Sequence, residues 1–414
     1  MHDIQSFSLK PTSQKGKGKR IMHLNGFLHK TLSSVITSPQ INNLSCLVRT
    51  AITSKNLTLT GLGRALEAPI QERSGIQKVN RFLGNEHVRD KLQEISEHVA
   101  KLLIQNHRPI IIVDWTKYPN SHDAVLRAAI PFQGRALTIY EERHRENKTG
   151  VRRILEAFLV TLKKILPQNC KPIIVTDAGF HNPWFKKVTQ LNWGYIGRVR
   201  GIKHCQLSTE HSFKPCKDLY KQASLNIVEM GEGLVAKTNP LKTQFYLVRS
   251  RKKRRKDYTR SGQVNQTKNS RDYARSHHEP WLLISSLKGR HAAKRIEKIY
   301  RRRMEIEESF RDLKSTEYGF GLERGKTKKG KRRDILLLIA RLSHLVAAII
   351  GVHCEKLKLH YQFQSNSIKN RRVISIFYLG CQVFKRKPVF RLLKIPDMLK
   401  TFISLLKNEA YCEL

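Results

Sequence analysis

Cysteine is sparse and poorly placed for ligation. The seven cysteines, at 46, 170, 205, 216, 354, 381 and 412, form no C-x-x-C pair. That excludes a zinc ribbon and a disulfide framework and leaves free thiols in a reducing compartment. Histidine is more frequent, at 17, but no H-E-x-x-H occurs. His277 and His278 are chain neighbours that cannot share a helix face and read as loop residues. No G-x-x-x-x-G-K-[ST] is present, so ATP is not implied. The first twenty residues lack an apolar stretch, so no secretory signal is expected. The longest apolar run, 335–353, is interrupted by Arg341, Ser343 and His344. An Arg at a bilayer centre costs about 2.5–3.5 kcal/mol, so this run reads as a buried core helix and no membrane partner is expected. Acid is also scarce, with 33 Asp+Glu against 78 Lys+Arg and a net charge of +45. A surface that basic calls for a polyanion, with DNA, RNA and anionic membrane as candidates.

What is present suffices for a globular protein of two to four domains, since 40% of the 414 residues are hydrophobic. Residues 1–22 read as a basic flexible leader, with Met22 an alternative start. Residues 23–105 read as helices. Within them LTLTGLGRAL (57–66) and IQKVNRFLGN (76–85) fit either a helix-turn-helix-like unit or a plain bundle, and the basic charge favours DNA contact.

Residues 106–330 carry the candidate chemistry. The run PIIIVDW (109–115) is a short apolar strand with Asp114 at its end, and KPIIVTDAGF (171–180) is a second, ending on Asp177. Carboxylates at strand ends sit where ligands collect in α/β folds. Segments 124–132 and 135–142 flank Gln133-Gly134, a hairpin signal. A helix over 151–166 and a strand over 193–200 complete the order β-β-β-α-β. That order predicts an α/β fold with a ribonuclease H-like core and brings Asp114 beside Asp177. Residues 202–280 read as an insertion, part β and part basic loop, with RKKRRK at 251–256 expected to bind phosphate. WLLISSL (281–287) returns to strand, and residues 331–414 read as a helical C-terminal domain.

The stretch IYRRRMEIEESFRDLKS (299–315) has no Pro or Gly and reads as one helix. At about 100° per residue, Tyr300, Arg303, Glu307 and Lys314 fall within roughly 60° of one another. Ile299, Ile306, Phe310 and Leu313 form the apolar stripe beside them. One exposed face then carries a carboxylate, an Arg, a Lys and an aromatic. Three carboxylates on separate elements suit two Mg²⁺ ions, which act on the attacking and leaving oxygens of an in-line displacement at phosphorus.

The spacing Tyr300-x2-Arg303-x3-Glu307-x6-Lys314 resembles the YREK signature of bacterial DDE insertion-sequence transposases, the hairpin-forming group of the Tn-ten and Tn-five enzymes. IVDW, VTDAGF, EPWLL around Trp281 and MEIEESFRDLKS are similar to the Tn-ten transposase, as are LTLTGLGRAL and RFLGN. The likeness covers residues 23–385 and fades beyond them. It implies a cut-and-paste DNA transposase with Asp114, Asp177 and Glu307 as catalytic metal ligands for two Mg²⁺, with Mn²⁺ as a substitute. It further implies that Tyr300, Arg303 and Lys314 contact phosphates and that Trp281 stacks on a flipped base. Its implied partners are double-stranded DNA, as transposon ends and target, and a second copy of the chain in a synaptic homodimer. Its implied place is the bacterial cytoplasm, at the nucleoid. The competing readings are a catalytically inactive DNA-binding derivative and another ribonuclease H-like nuclease.

Overall fold

The computed structural model describes residues 22–104, 107–249, 263–267, 270, 279–365, 367–386 and 395–409. The leader 1–21, the basic run 251–256, His277, His278 and Cys412 lie outside the described residues. The architecture is mixed α/β, built on a sheet that among the described residues has ten strands, in the order β3-β2-β1-β4-β5-β10-β9-β8-β6-β7.

Its strands are β1 (Ile110–Lys117), β2 (Asp123–Phe132), β3 (Arg135–Arg145), β4 (Ile173–Val175), β5 (Gly194–Val199), β6 (His204–Leu207), β7 (Lys214–Pro215), β8 (Val228–Val235), β9 (Leu241–Val248) and β10 (Trp281–Ser285). The β2–β3 hairpin closes on Gln133 and Gly134, both at positive φ (52° and 76°). Two such residues make the turn whose twist matches the flanking strands. β1, β4 and β5 run parallel, and all other pairs run antiparallel. Three antiparallel strands followed by helix and parallel strand form the ribonuclease H-like core. The strands of the insertion extend this same sheet. β10 lies between β5 and β9 and so covers the edge that β5 would otherwise expose.

Among the described residues six helices precede the sheet: α1 (Met22–Leu32), α2 (Ser38–Ser54), α3 (Leu59–Arg64), α4 (Glu72–Leu83), α5 (Glu86–Asp90) and α6 (Leu92–Leu103). α3 and α4 cross at close range. A Cβ on Gly63 would meet Ile76, and one on Gly75 would fall on the Gly63 carbonyl oxygen. α4 leaves Arg73, Gln77, Lys78 and Arg81 in solvent. α7 (Arg152–Ile165) and α8 (Asn182–Gln190) flank β4, and α9 (Ala292–Arg301) and α10 (Met304–Lys314) follow β10.

α11 (Gly330–Lys356) has an 18-residue window of mean hydropathy 2.3, wholly buried inside the protein. It packs on α2, β3, α12 (Ile376–Arg386) and α13 (Ile395–Glu409). Arg341 within it is buried, donating to Ser96 Oγ and the Ile139 carbonyl. One apolar cluster runs from α1 through the sheet to α13. That cluster draws residues from all three of the segments 23–105, 106–330 and 331–414.

The stretch 299–315 is not one helix. α9 ends at Arg301 and α10 starts at Met304. Between them the backbone tightens: Arg303 N donates to Tyr300 O at 3.0 Å and Glu305 N to Arg302 O at 2.9 Å, both i→i−3 bonds. Propensity does not account for the break, but packing does. Ile296, Ile299 and Tyr300 sit on Ile110, Ile173, Val175 and Leu283, whereas Ile306 and Phe310 sit on Ile112, Ala129 and Ala136. The two patches share β1 and extend from it in opposite directions across the sheet, and because a sheet twists they do not lie under one straight rod.

Candidate active site

β1 does not stop at Asp114. It continues to Lys117, paired throughout with β2, while its parallel neighbour β4 stops at Val175. Asp114 therefore lies inside a strand, at the point where one flank has become free. Ile112 is in register with Val175, so Asp177 follows beside Asp114 two residues on. Trp115 N donates to Asp114 Oδ1 at 2.8 Å, and Gly179 N donates to Asp177 Oδ1 at 2.9 Å. A local amide thus orients each carboxylate.

Asp114 has 13% of its side chain exposed. Burial, then the negative charge of Asp177, push its carboxyl up to about 7, with Arg303 opposing them. Glu307 projects from the first turn of α10 and is 43% exposed. Arg303 bridges the two acids. Its Nη2 donates to Glu307 Oε1 at 2.7 Å and its Nη1 to Asp114 Oδ2 at 3.4 Å. Burial disfavours the Arg303 charge, but Tyr300, Asp114 and Glu307 outweigh it and raise its pKa. Among the described residues no three His, Cys, Asp or Glu side chains converge into a ready metal cluster. Asp114 and Glu307 are joined through the guanidinium, and Asp177 makes itself felt as a charge. The oxygen-only donor set suits a hard cation of the Mg²⁺ type, and the like charges that raise the Asp114 pKa are what such a cation would relieve.

Lys314, at the end of α10, donates from Nζ to Thr116 Oγ1 at 2.6 Å, two residues along β1 from Asp114. Its pKa is lowered by burial and then by the Arg127 charge. Tyr300 is only 3% exposed and packs in the core cluster under the site, where burial raises its phenol pKa. It is not an open phosphate contact as placed. Trp281 is half-buried and edge-on to Tyr300, with ring centroids 5.2 Å apart, and the Arg301 guanidinium lies 5.4 Å from its ring centre.

Three residues escaped the sequence reading. Thr116 holds Lys314. Arg198, the lone cation of an apolar strand, donates to the Pro280 carbonyl at 3.3 Å and so ties β5 to the segment entering Trp281. Arg127, opposite Asp114 on β2 and opposite Glu141 on β3, is 4% exposed. It donates to Glu141 Oε2 at 2.7 and 3.0 Å and lies against the Phe310 ring. A charged residue in the run DAVLRAAIPF was the available signal for this buried pair.

The family described as Transposase DDE domain matches residues 105–342, more than half of the chain. The chain belongs to the transposase DDE domain family. Transposases of this family generally use divalent metal ions, in keeping with the donor set. No curated protein matches the chain. Among solved structures it is similar to the piggyBac transposase in a cryo-EM synaptic complex with hairpin DNA. That likeness has 13% identity over 95% of this chain and 82% of that one, with a TM-score of 0.42. In this DDE-family chain the acids on β1, after β4 and on α10 are the candidate DDE set.

Proposed function

We propose that this DDE-family protein is a cut-and-paste DNA transposase of the hairpin-forming YREK group, with Asp114, Asp177 and Glu307 as its metal-binding acids. The observation that carries the proposal is that three remote segments meet at one place: Asp114 on β1, Asp177 two residues past the end of the parallel β4 and acting on Asp114 as a charge, and Glu307 joined to Asp114 through Arg303. Bound divalent ions, Mg²⁺ or Mn²⁺, would neutralise charge on the phosphate and make water a better nucleophile. The three acids would hold and orient those ions. Arg303 and Lys314 offer cationic donors to the phosphate backbone on either side of Glu307. Trp281 offers an indole to an unstacked base once Arg301 moves off its ring. The exposed basic face of α4 suits the terminal repeats, and a second copy of the chain would supply the synaptic partner on bacterial DNA.

The test is cleavage of duplex DNA carrying the element's ends, with Mg²⁺, by wild type and by Asp114→Ala, Asp177→Ala and Glu307→Ala. Each variant should lose nicking and strand transfer while keeping DNA binding, because metal ligands act on the transition state and the basic surface supplies affinity. Near-normal nicking by any one variant removes that acid from the set. A wild-type chain that binds ends and never nicks them is the inactive derivative, and one that nicks but never joins ends to a target is a simple nuclease.

A further inference from the structure

Arg303 holds the same oxygens that a divalent ion needs. Its guanidinium contacts Glu307 Oε1 at 2.7 Å and Asp114 Oδ2 at 3.4 Å, and Met304 Sδ lies 3.0 Å from Nη2. The Arg303 side chain is 14% exposed. Asp114 is 13% exposed and Glu307 43%, so the Arg303–Asp114 pair is the one shielded from bulk water, and breaking a shielded pair is costly unless a new partner takes over. Here two new partners are needed. A cation arriving alone satisfies the carboxylates and strands the guanidinium. A phosphate arriving alone captures the guanidinium, whose fork fits it bidentately, and strands two carboxylates beside Asp177. When both arrive, every charge is matched again.

We propose that Arg303 couples divalent-metal loading on Asp114 and Glu307 to capture of the DNA backbone, so that the two bind cooperatively. The proposal rests on the reading of this site as a phosphoryl-transfer centre on DNA. Linkage makes the effect reciprocal: DNA tightens metal binding by the factor by which metal tightens DNA binding. A chain off DNA then holds its ion weakly, and cleavage is confined to DNA already seated on Arg303.

The experiment is a calorimetric Mn²⁺ titration of the full chain, alone and saturated with a short blunt duplex, with a duplex-only blank subtracted. It compares wild type, Arg303→Gln and Arg311→Gln. Arg311 is an exposed cation paired with Glu308, so its variant makes the same charge change away from the site acids. In wild type the duplex should tighten Mn²⁺ binding by roughly tenfold, within the usual range of coupling between sites. Arg303→Gln should bind Mn²⁺ more tightly than wild type without duplex and gain little when duplex is added. Arg311→Gln should behave as wild type. Should Arg303→Gln fail to fold by circular dichroism, Arg303→Met, which also removes the cation and keeps a long flexible side chain, is read in the same way. Unchanged or weaker Mn²⁺ binding in that variant without duplex overturns the coupling, as does an undiminished duplex effect. If wild type binds duplex and Mn²⁺ independently, the coupling alone fails. If it binds no Mn²⁺ under either condition, the reading of the site fails with it.

Discussion

Replacing Asp114 by Asn should make the protein more stable, and increasingly so as pH rises. The carboxyl is raised from an ordinary 3.8 to about 7 by burial and by Asp177. Between those values the folded chain binds more protons at this position than the unfolded chain. Wild-type stability therefore falls as pH climbs through the window and levels off above it. Three pKa units at about 1.36 kcal/mol each set an upper bound of about 4 kcal/mol. The shift is shared with neighbouring charges, so about half of that is the working expectation. Asn keeps the shape and carries no charge, so the cost disappears. The assay is urea unfolding in EDTA of wild type and Asp114→Asn from pH 4.5 to 8.5. The variant should be more stable by about 1 kcal/mol already at pH 4.5, where the unfolded Asp114 carboxyl is mostly ionised, and the gap should widen to a plateau above pH 7. Added Mn²⁺ at pH 8 should narrow the gap, since an ion that binds only the folded wild type stabilises it by mass action. A gap that is constant with pH, or one that favours wild type at pH 8 in EDTA, refutes the account of the site's electrostatics.

Trp281→Ala should spare nicking and impair hairpin closure, because an indole returns roughly 1–3 kcal/mol to a flipped base only after the first cut; loss of nicking together with early melting would instead make Trp281 purely a packing partner of Tyr300. Arg127→Leu alone should cost about 3–5 kcal/mol by stranding a buried Glu141, and Arg127→Leu with Glu141→Leu should recover most of it. Urea midpoints decide this, and a double variant as unstable as the single one would place Arg127 in packing rather than charge balance. Neutralising residues 251–256 should flatten the salt dependence of duplex binding, by about 0.9 in log–log slope for each phosphate that is no longer neutralised. An unchanged slope removes phosphate binding from that run.

Much of the chain's local structure was legible in its residues. Apolar runs bounded by turn residues marked β1, β2, β3, β5 and the strand of Trp281. Gln133-Gly134 marked the hairpin, and the interrupted apolar run marked α11 as a core helix. These follow from short-range rules: periodicity, turn chemistry and the cost of burying an unpaired charge. The sequence by itself also determined the charge balance and the spacing that suggested the family.

Other features depend on partners that are distant in sequence, and only the tertiary structure decided them. The stretch 299–315 contains no helix breaker, yet it breaks because Tyr300 and Phe310 pack on different patches of a twisted sheet. Asp114 reads as a strand end, yet β2 carries the strand past it while β4 stops short, and that mismatch opens the site. Tyr300 reads as part of an exposed face and is instead core. The Arg303 bridge between Asp114 and Glu307 spans 189 residues of chain on one side and four on the other. No local pattern encodes it, because the bridge exists only once β1 and α10 have docked on one another.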